Sequence, residues 1–173
     1  MPSSNKSFRQ NRAYKKKAKG VIKMKTLPVN LKIIGIIHSP YKLTSDVPRR
    51  CKKEISEIEI YEEYKQGLKD IEGFSHIHVF YWLHKSKGYS LHVNTPWDDI
   101  PHGLFTTRSP HRPNPIAHST VKLVERKDNV LKVKGLDAID GAPVLDIKPY
   151  VKKFDMRERA VSGWLEKTDL KGD

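Results

Sequence analysis

Ile77-His78-Val79-Phe80-Tyr81-Trp82-Leu83, written IHVFYWL, is the most apolar run of the chain and reads as its central strand. It is also far short of the roughly 18 to 20 residues that a membrane-spanning helix needs. Upstream, Leu31 to Ile37 reads as one strand. Glu57 to Tyr61, where Ile58 and Ile60 alternate with Glu57 and Glu59, reads as a second, half-buried one. Between that strand and the central one, Tyr61, Tyr64, Leu68 and Ile71 recur at spacings of three, four and three, predicting a short amphipathic helix closed by Gly73. Downstream, Tyr89, Leu91 and Val93 alternate with polar residues as another strand. Val121 to Val124 and Val130 to Val133 flank the turn signal Lys127-Asp128-Asn129 as a hairpin. Proline is concentrated between Pro96 and Pro115, a long loop of the kind that carries function or is disordered. Several short strands with one short helix predict a mainly β domain, a small barrel or sandwich.

A chain of 173 residues and 20.0 kDa accommodates one ordinary core and a tail. We divide it into a basic arm at 1–30, a β domain at 31–155 and a C-terminal tail at 156–173 whose acidic and basic residues suggest fraying. With 33 Lys and Arg against 20 Asp and Glu, a net charge of +13 is expected to attract a polyanion, nucleic acid or an anionic membrane face first. The excess is uneven: residues 1–30 carry nine basic side chains, from Lys6 to Lys25, and no acid. Such a segment has too few apolar groups to offset its ordering entropy and is expected to be disordered. It is open to three readings: a phosphate grip, a solvated tail, or a targeting leader, against which the lysine run argues. Met24 is an alternative start. Cys51 is the only cysteine, so no intramolecular disulfide forms, and a reducing cytoplasm is the expected setting.

Absences narrow the chemistry. There is no G-x-G-x-x-G, no G-x-x-x-x-G-K and no G-x-S-x-G, so dinucleotide-binding, P-loop and nucleophile-elbow enzymes are not expected. Eight histidines include His76 and His78 on one face of a strand, but no H-E-x-x-H occurs, and we expect no metal.

Three segments hold the candidate chemistry. In RSPHRPNPIAHS, Arg108 to Ser119, three prolines stiffen the backbone around Arg108, Arg112 and Asn114. Guanidinium forks there suit a carboxylate or phosphate, while a rigid turn with locally paired arginines remains the alternative. In DAIDGAPVLDIKPY, Asp137 to Tyr150, Asp140-Gly141 signals a tight turn that runs straight into a strand. In HSPYK, His38 to Lys42, Pro40 ends a strand and leaves Tyr41 available for stacking.

In the order GIIHSPYK, GFSHIHVFYWLHK, TTRSPHRPNPIAHS and DAIDGAPVLDIKPY, the chain closely resembles the TsaA-like family, the TrmO-type tRNA methyltransferases, from about Leu31 to about Phe154. The resemblance implies a small β-barrel, often dimeric, that binds S-adenosylmethionine and methylates N6 of N6-threonylcarbamoyladenosine beside the tRNA anticodon. It places Ser39, Pro40, Tyr41, His84, Lys85, Arg108, His118, Asp140, Gly141, Ala142 and Pro143 in the cofactor pocket. Arg112 and Asn114 are the candidates for gripping the acceptor, and Asp140 is a candidate base for the departing proton. Three positions depart from the family pattern in the proposed pocket: His38 for arginine, Ala117 for glycine and Ala142 for threonine. A non-catalytic basic barrel that binds RNA, or the same cofactor chemistry on another acceptor, is the alternative function.

Overall fold

The computed structural model describes residues 30–48 and 54–168, so the arm at 1–29, Cys51 and the last five residues lie outside the described part. The chain divides into two compact units, Met1–Leu31 and Lys32–Asp173, and nearly all described residues belong to the second. Among the described residues eight strands are formed: β1 Gly35–His38, β2 Ile55–Ile60, β3 His76–Trp82, β4 His92–Val93, β5 His102–Gly103, β6 Ile116–Lys127, β7 Val130–Lys134 and β8 Pro143–Pro149. Six of them close into a barrel in the order β1-β2-β7-β6-β3-β8, all pairs antiparallel, and β4 with β5 makes a separate ribbon. The strand pattern led to a mainly β domain, barrel or sandwich, and the closed barrel that the family resemblance implies is the fold observed.

Alternation explains the barrel. Every second residue of β3, namely Ile77, Val79 and Tyr81, is buried, and so are Ile58 and Ile60 of β2, Val121 and Leu123 of β6 and Leu131 and Val133 of β7. These side chains fill the interior with Ile37, Val144 and Leu136. The intervening residues of β3 (His76, His78, Phe80, Trp82) face outward and are half-buried. Where β1 crosses β2 the backbones approach closely: a Cβ built on Gly35 would sit 2.2 Å from the Glu59 carbonyl oxygen.

Three local expectations change. The helix expected between Tyr61 and Gly73 is two 3-10 turns, Glu62–Leu68 and Ile71–Gly73, because Asp70 at φ 67° interrupts the chain in the left-handed region. Leu68 is buried and Tyr64 and Ile71 half-buried, so the apolar spacing was real but served tight turns. The sole α-helix among the described residues, α1, is the single turn Lys152–Asp155. The alternation at Tyr89, Leu91 and Val93 yields only the two residues of β4, Tyr89 and Leu91 each being 57% exposed; the paired length stops where β5 ends against the Leu104–Thr106 turn. The first strand begins at Gly35 rather than Leu31, Leu31 and Ile33 being about half exposed. After Phe154 the chain is tethered: the Trp164 ring stacks on His102 at 3.7 Å between centroids, and its Nε1 donates to the Thr106 carbonyl at 3.1 Å.

Candidate functional site

The Asp140-Gly141 bend is zipped to the end of β1. The Asp140 amide donates to the Tyr41 carbonyl and the Gly141 amide to the Ile37 carbonyl, each at 2.8 Å, and the Ile37 amide donates back to Ala142 at 3.0 Å. Gly141 has φ 78°, the left-handed backbone that this bend requires and that favours glycine. The Asp140 carboxylate closes the arrangement, accepting the Lys42 ammonium at 2.7 Å and the Ser39 amide at 2.9 Å. The lysine first, then the amide, holds that carboxyl below its ordinary pKa. With both oxygens engaged and its basicity reduced, Asp140 is geometrically an anchor of the bend, poorly suited to receive a proton. Lys85 joins the same corner by donating to the Lys42 carbonyl at 3.1 Å.

Asp140→Ala should therefore lower stability by about 1.5 kcal/mol, chiefly through the unpaired Ser39 amide and Lys42. Because the folded pKa lies below the unfolded one, this contribution is complete above the ordinary carboxylate range and is lost as pH falls through the folded pKa. Urea unfolding of both proteins at neutral and acid pH checks it: the two should converge in acid, and a constant difference would contradict the assignment.

The proline loop packs beside this corner. The Ser86 hydroxyl donates to the Pro110 carbonyl at 2.8 Å, and the Leu83 amide donates to the Pro115 carbonyl, also at 2.8 Å. Arg112 turns one nitrogen, Nη1, onto the backbone carbonyls of Thr107 at 3.1 Å, Leu104 at 3.4 Å and Ser109 at 3.5 Å, and its guanidinium lies over Phe105. It staples the loop. Arg108 makes no hydrogen bond or ion pair among the described residues and is exposed at the loop's edge.

Between the loop and the bend lie two adjoining cavities that share Thr44, Tyr81, Leu83, Pro110 and Ile139 as walls. The larger, about 540 Å³, adds Arg108, Arg112, His118, Ser119 and Asp137; the smaller, about 290 Å³, adds His84, Lys85 and Ala142. Together they fall in the size range of a nucleoside-sized ligand site. The larger has a polar floor: Tyr81, 2% exposed, donates its hydroxyl to Asp137 Oδ1 at 3.1 Å, and the Ser119 hydroxyl donates to the same oxygen. Burial first, then the Asp137 charge, pushes the Tyr81 phenol well above its ordinary pKa, so it stays protonated. Buried Leu136 and Ala138 on either side hold Asp137 outward in this position.

Of the residues singled out in the sequence, Arg108, Arg112, His118, His84, Lys85 and Ala142 thus line the cavities. Ser39, Pro40, Tyr41, Asp140, Gly141 and Pro143 form the scaffold behind them, with Tyr41 only 7% exposed and not an open stacking face. Asn114 is exposed and lines neither cavity. His38 points outward to Glu59 at 2.8 Å and borders neither cavity, whereas Ala117 lines the larger and Ala142 the smaller.

Thr44, Tyr81, Ser119 and Asp137 were missed. For Tyr81 a signal existed, since period-two alternation in IHVFYWL turns it inward and a buried hydroxyl requires a partner. No group of three or more His, Cys, Asp or Glu among the described residues could hold a metal ion. No helix among them is long and apolar enough to cross a membrane.

Residues 36–156 match the family described as tRNA-methyltransferase O N-terminal domain. A probable S-adenosyl-L-methionine-binding protein of Archaeoglobus fulgidus is 51% identical over 143 residues, which is 82% of this chain and 39% of that protein. A tRNA (adenine(37)-N6)-methyltransferase of Escherichia coli is 40% identical over 131 residues, 68% of this chain and 56% of that enzyme. The crystal structure of TrmO from Pseudomonas aeruginosa superposes with a TM-score of 0.67 at 29% identity, covering 80% of this chain and 63% of that one. The chain therefore spans less than two thirds of each of these three proteins.

Proposed function

The chain belongs to the family of tRNA-methyltransferase O N-terminal domains, and from that premise we propose that it is an S-adenosylmethionine-dependent tRNA methyltransferase acting on N6 of adenine 37. The finer acceptor in this reading is N6-threonylcarbamoyladenosine, and the setting is the cytoplasm. The observation that carries the proposal is the paired cavity at the barrel mouth, with an unpaired guanidinium at one edge and apolar walls at the other.

The donor set fits the cofactor. Arg108 suits its carboxylate, Leu83, Ile139 and Ala142 suit a nucleoside, and the Tyr81 hydroxyl, Ser119 and Asp137 supply polar contacts. When bound, S-adenosylmethionine supplies an electrophilic methyl group on a sulfonium leaving group. The protein's part is placement: the stapled proline loop and the anchored bend keep the walls stiff, so that acceptor nitrogen and methyl carbon are held in line. Lys85, His84 and Arg108 at the rim are placed to meet RNA phosphate as well as cofactor.

A homodimer is part of the proposal, and Ile100 (64% exposed) and Phe105 (73% exposed) in the Pro96–Pro115 segment are the apolar surface it would cover. Thermal melting with increasing S-adenosylmethionine should give a concentration-dependent rise in Tm. Mass spectrometry of nucleosides from tRNA incubated with protein and cofactor should show one added methyl on the modified adenine. A non-catalytic RNA-binding barrel gives neither result, only RNA affinity that falls with salt.

A further inference from the structure

On the outer face of the barrel, beside the cavity rim, three titratable side chains from three elements stand in a row. His118 of β6 places Nε2 2.9 Å from Nδ1 of His78 on β3, and His78 Nε2 lies 3.4 Å from Asp155 Oδ2 at the end of α1. Thr120 Oγ1, 2.9 Å from His78 Nδ1, supports the same ring. Phe80 stacks on His118 at 4.8 Å between centroids, and the Tyr150 ring lies 5.5 Å from that of His78. The carboxylate of Asp155 is itself fixed by the Val151 amide at 2.6 Å.

This row sets proton positions. The Asp155 carboxylate, 3.4 Å from Nε2, favours a hydrogen on that nitrogen of His78, and in this tautomer Nδ1 is the acceptor of the 2.9 Å contact from His118. In that arrangement His118 donates from Nε2 and its Nδ1, which makes no hydrogen bond among the described residues, keeps its lone pair. His118 lines the larger cavity together with Arg108.

We infer that His118 is the proton acceptor of the methyl-transfer reaction, its reactive tautomer fixed by His78 and Asp155. This rests on the methyltransferase reading above. As the N6–carbon bond forms, the carbon–sulfur bond breaks with its electron pair kept by sulfur, and the N6 proton passes to Nδ1 of His118. The resulting imidazolium donates its Nε2 hydrogen to Nδ1 of neutral His78, and the Asp155 carboxylate beyond His78 offsets the new charge, as an acid partner orients a catalytic imidazole elsewhere.

The charged and titratable groups around His118 are His78, Arg108, Asp155 and Tyr150, with Lys148 near Phe80. Burial first, then His78 and Arg108, hold its pKa below the ordinary imidazole value, while Asp155 pulls the other way. His118 is thus neutral, and able to accept, at pH 7.

The tests use the full chain. In cofactor-free protein with nitrogen-15-labelled histidine, NMR at pH 7 should find His118 neutral with hydrogen on Nε2, and His78→Phe should abolish that preference. His118→Gln should lower kcat roughly 100-fold or more, a larger factor than any loss of S-adenosylmethionine affinity, since positioned bases contribute on that scale. Asp155→Asn should shift the acid limb of the kcat profile to lower pH, a change that mere loss of packing does not produce.

A His118 hydrogen on Nδ1, or a His118→Gln enzyme with kcat and pH profile intact, overturns the relay. An unaltered chain that binds S-adenosylmethionine yet methylates no adenine overturns instead the reading on which the relay rests.

Discussion

Gly35→Ala is expected to destabilise the barrel by about 3 kcal/mol and to lower Tm by roughly 10 °C. The added methyl carbon would stand 2.2 Å from the Glu59 carbonyl oxygen and 3.0 Å from the Ile60 side chain. A side-chain obstacle can rotate away. This one is backbone, and it is held in the β1–β2 ladder, where Gly35 pairs with Ile60 and Ile36 with Glu59. Relief requires β1 to lift from β2, which also disturbs its pairing with β8 at Val144 and the bend that hangs from Ile37. Cofactor affinity should fall in parallel, because the bend positions Ile139 and Ala142 in the cavity walls.

Gly67→Ala is the matched control. No atom lies within 4 Å of its added carbon, so stability should change by no more than about 0.5 kcal/mol. Urea unfolding of the two variants checks both statements, and equal midpoints would show that the close approach at Gly35 relaxes freely.

Arg108→Ala is expected to weaken S-adenosylmethionine binding about 10- to 100-fold, the range for losing one charge-assisted interaction of roughly 1.5–3 kcal/mol. Arg108 has no partner among the described residues, so its removal leaves no other group unpaired and the fold should be unaffected. Arg112 provides the contrast. Its Nη1 already serves three loop carbonyls, so Arg112→Ala should loosen residues 104–112 and lower stability as well as affinity. Isothermal titration of both variants, with thermal melts beside it, separates a ligand contact from a structural staple. Unchanged affinity in Arg108→Ala would remove that residue from the pocket.

Much of this protein was legible before any coordinates. The alternation of Ile58 with Ile60 and of Ile77 with Val79 and Tyr81 marks strands because a pleated chain turns every second side chain to one face. Asp140-Gly141 marks a bend because glycine at φ 78° costs little. The prolines from Pro110 to Pro115 mark a stiff loop for an equally local reason, and the order of four motifs pointed to the family.

Other features were not local. Whether Tyr61 to Gly73 became an α-helix or 3-10 turns depended on Asp70 and on what Leu68 was packed against. The division of labour among the motif residues was likewise hidden: Arg108 open and Arg112 committed, His118 in the wall and Asp140 behind it. Asp137 meets Tyr81 across 56 residues of sequence, and Asp155 meets His78 across a comparable span. Strand type and turn position follow from preferences within a few residues, so the chain carries them by itself. Which polar group faces which is set by barrel closure, where the register of one ladder brings distant residues within hydrogen-bond reach and no short-range rule can foretell the pairing.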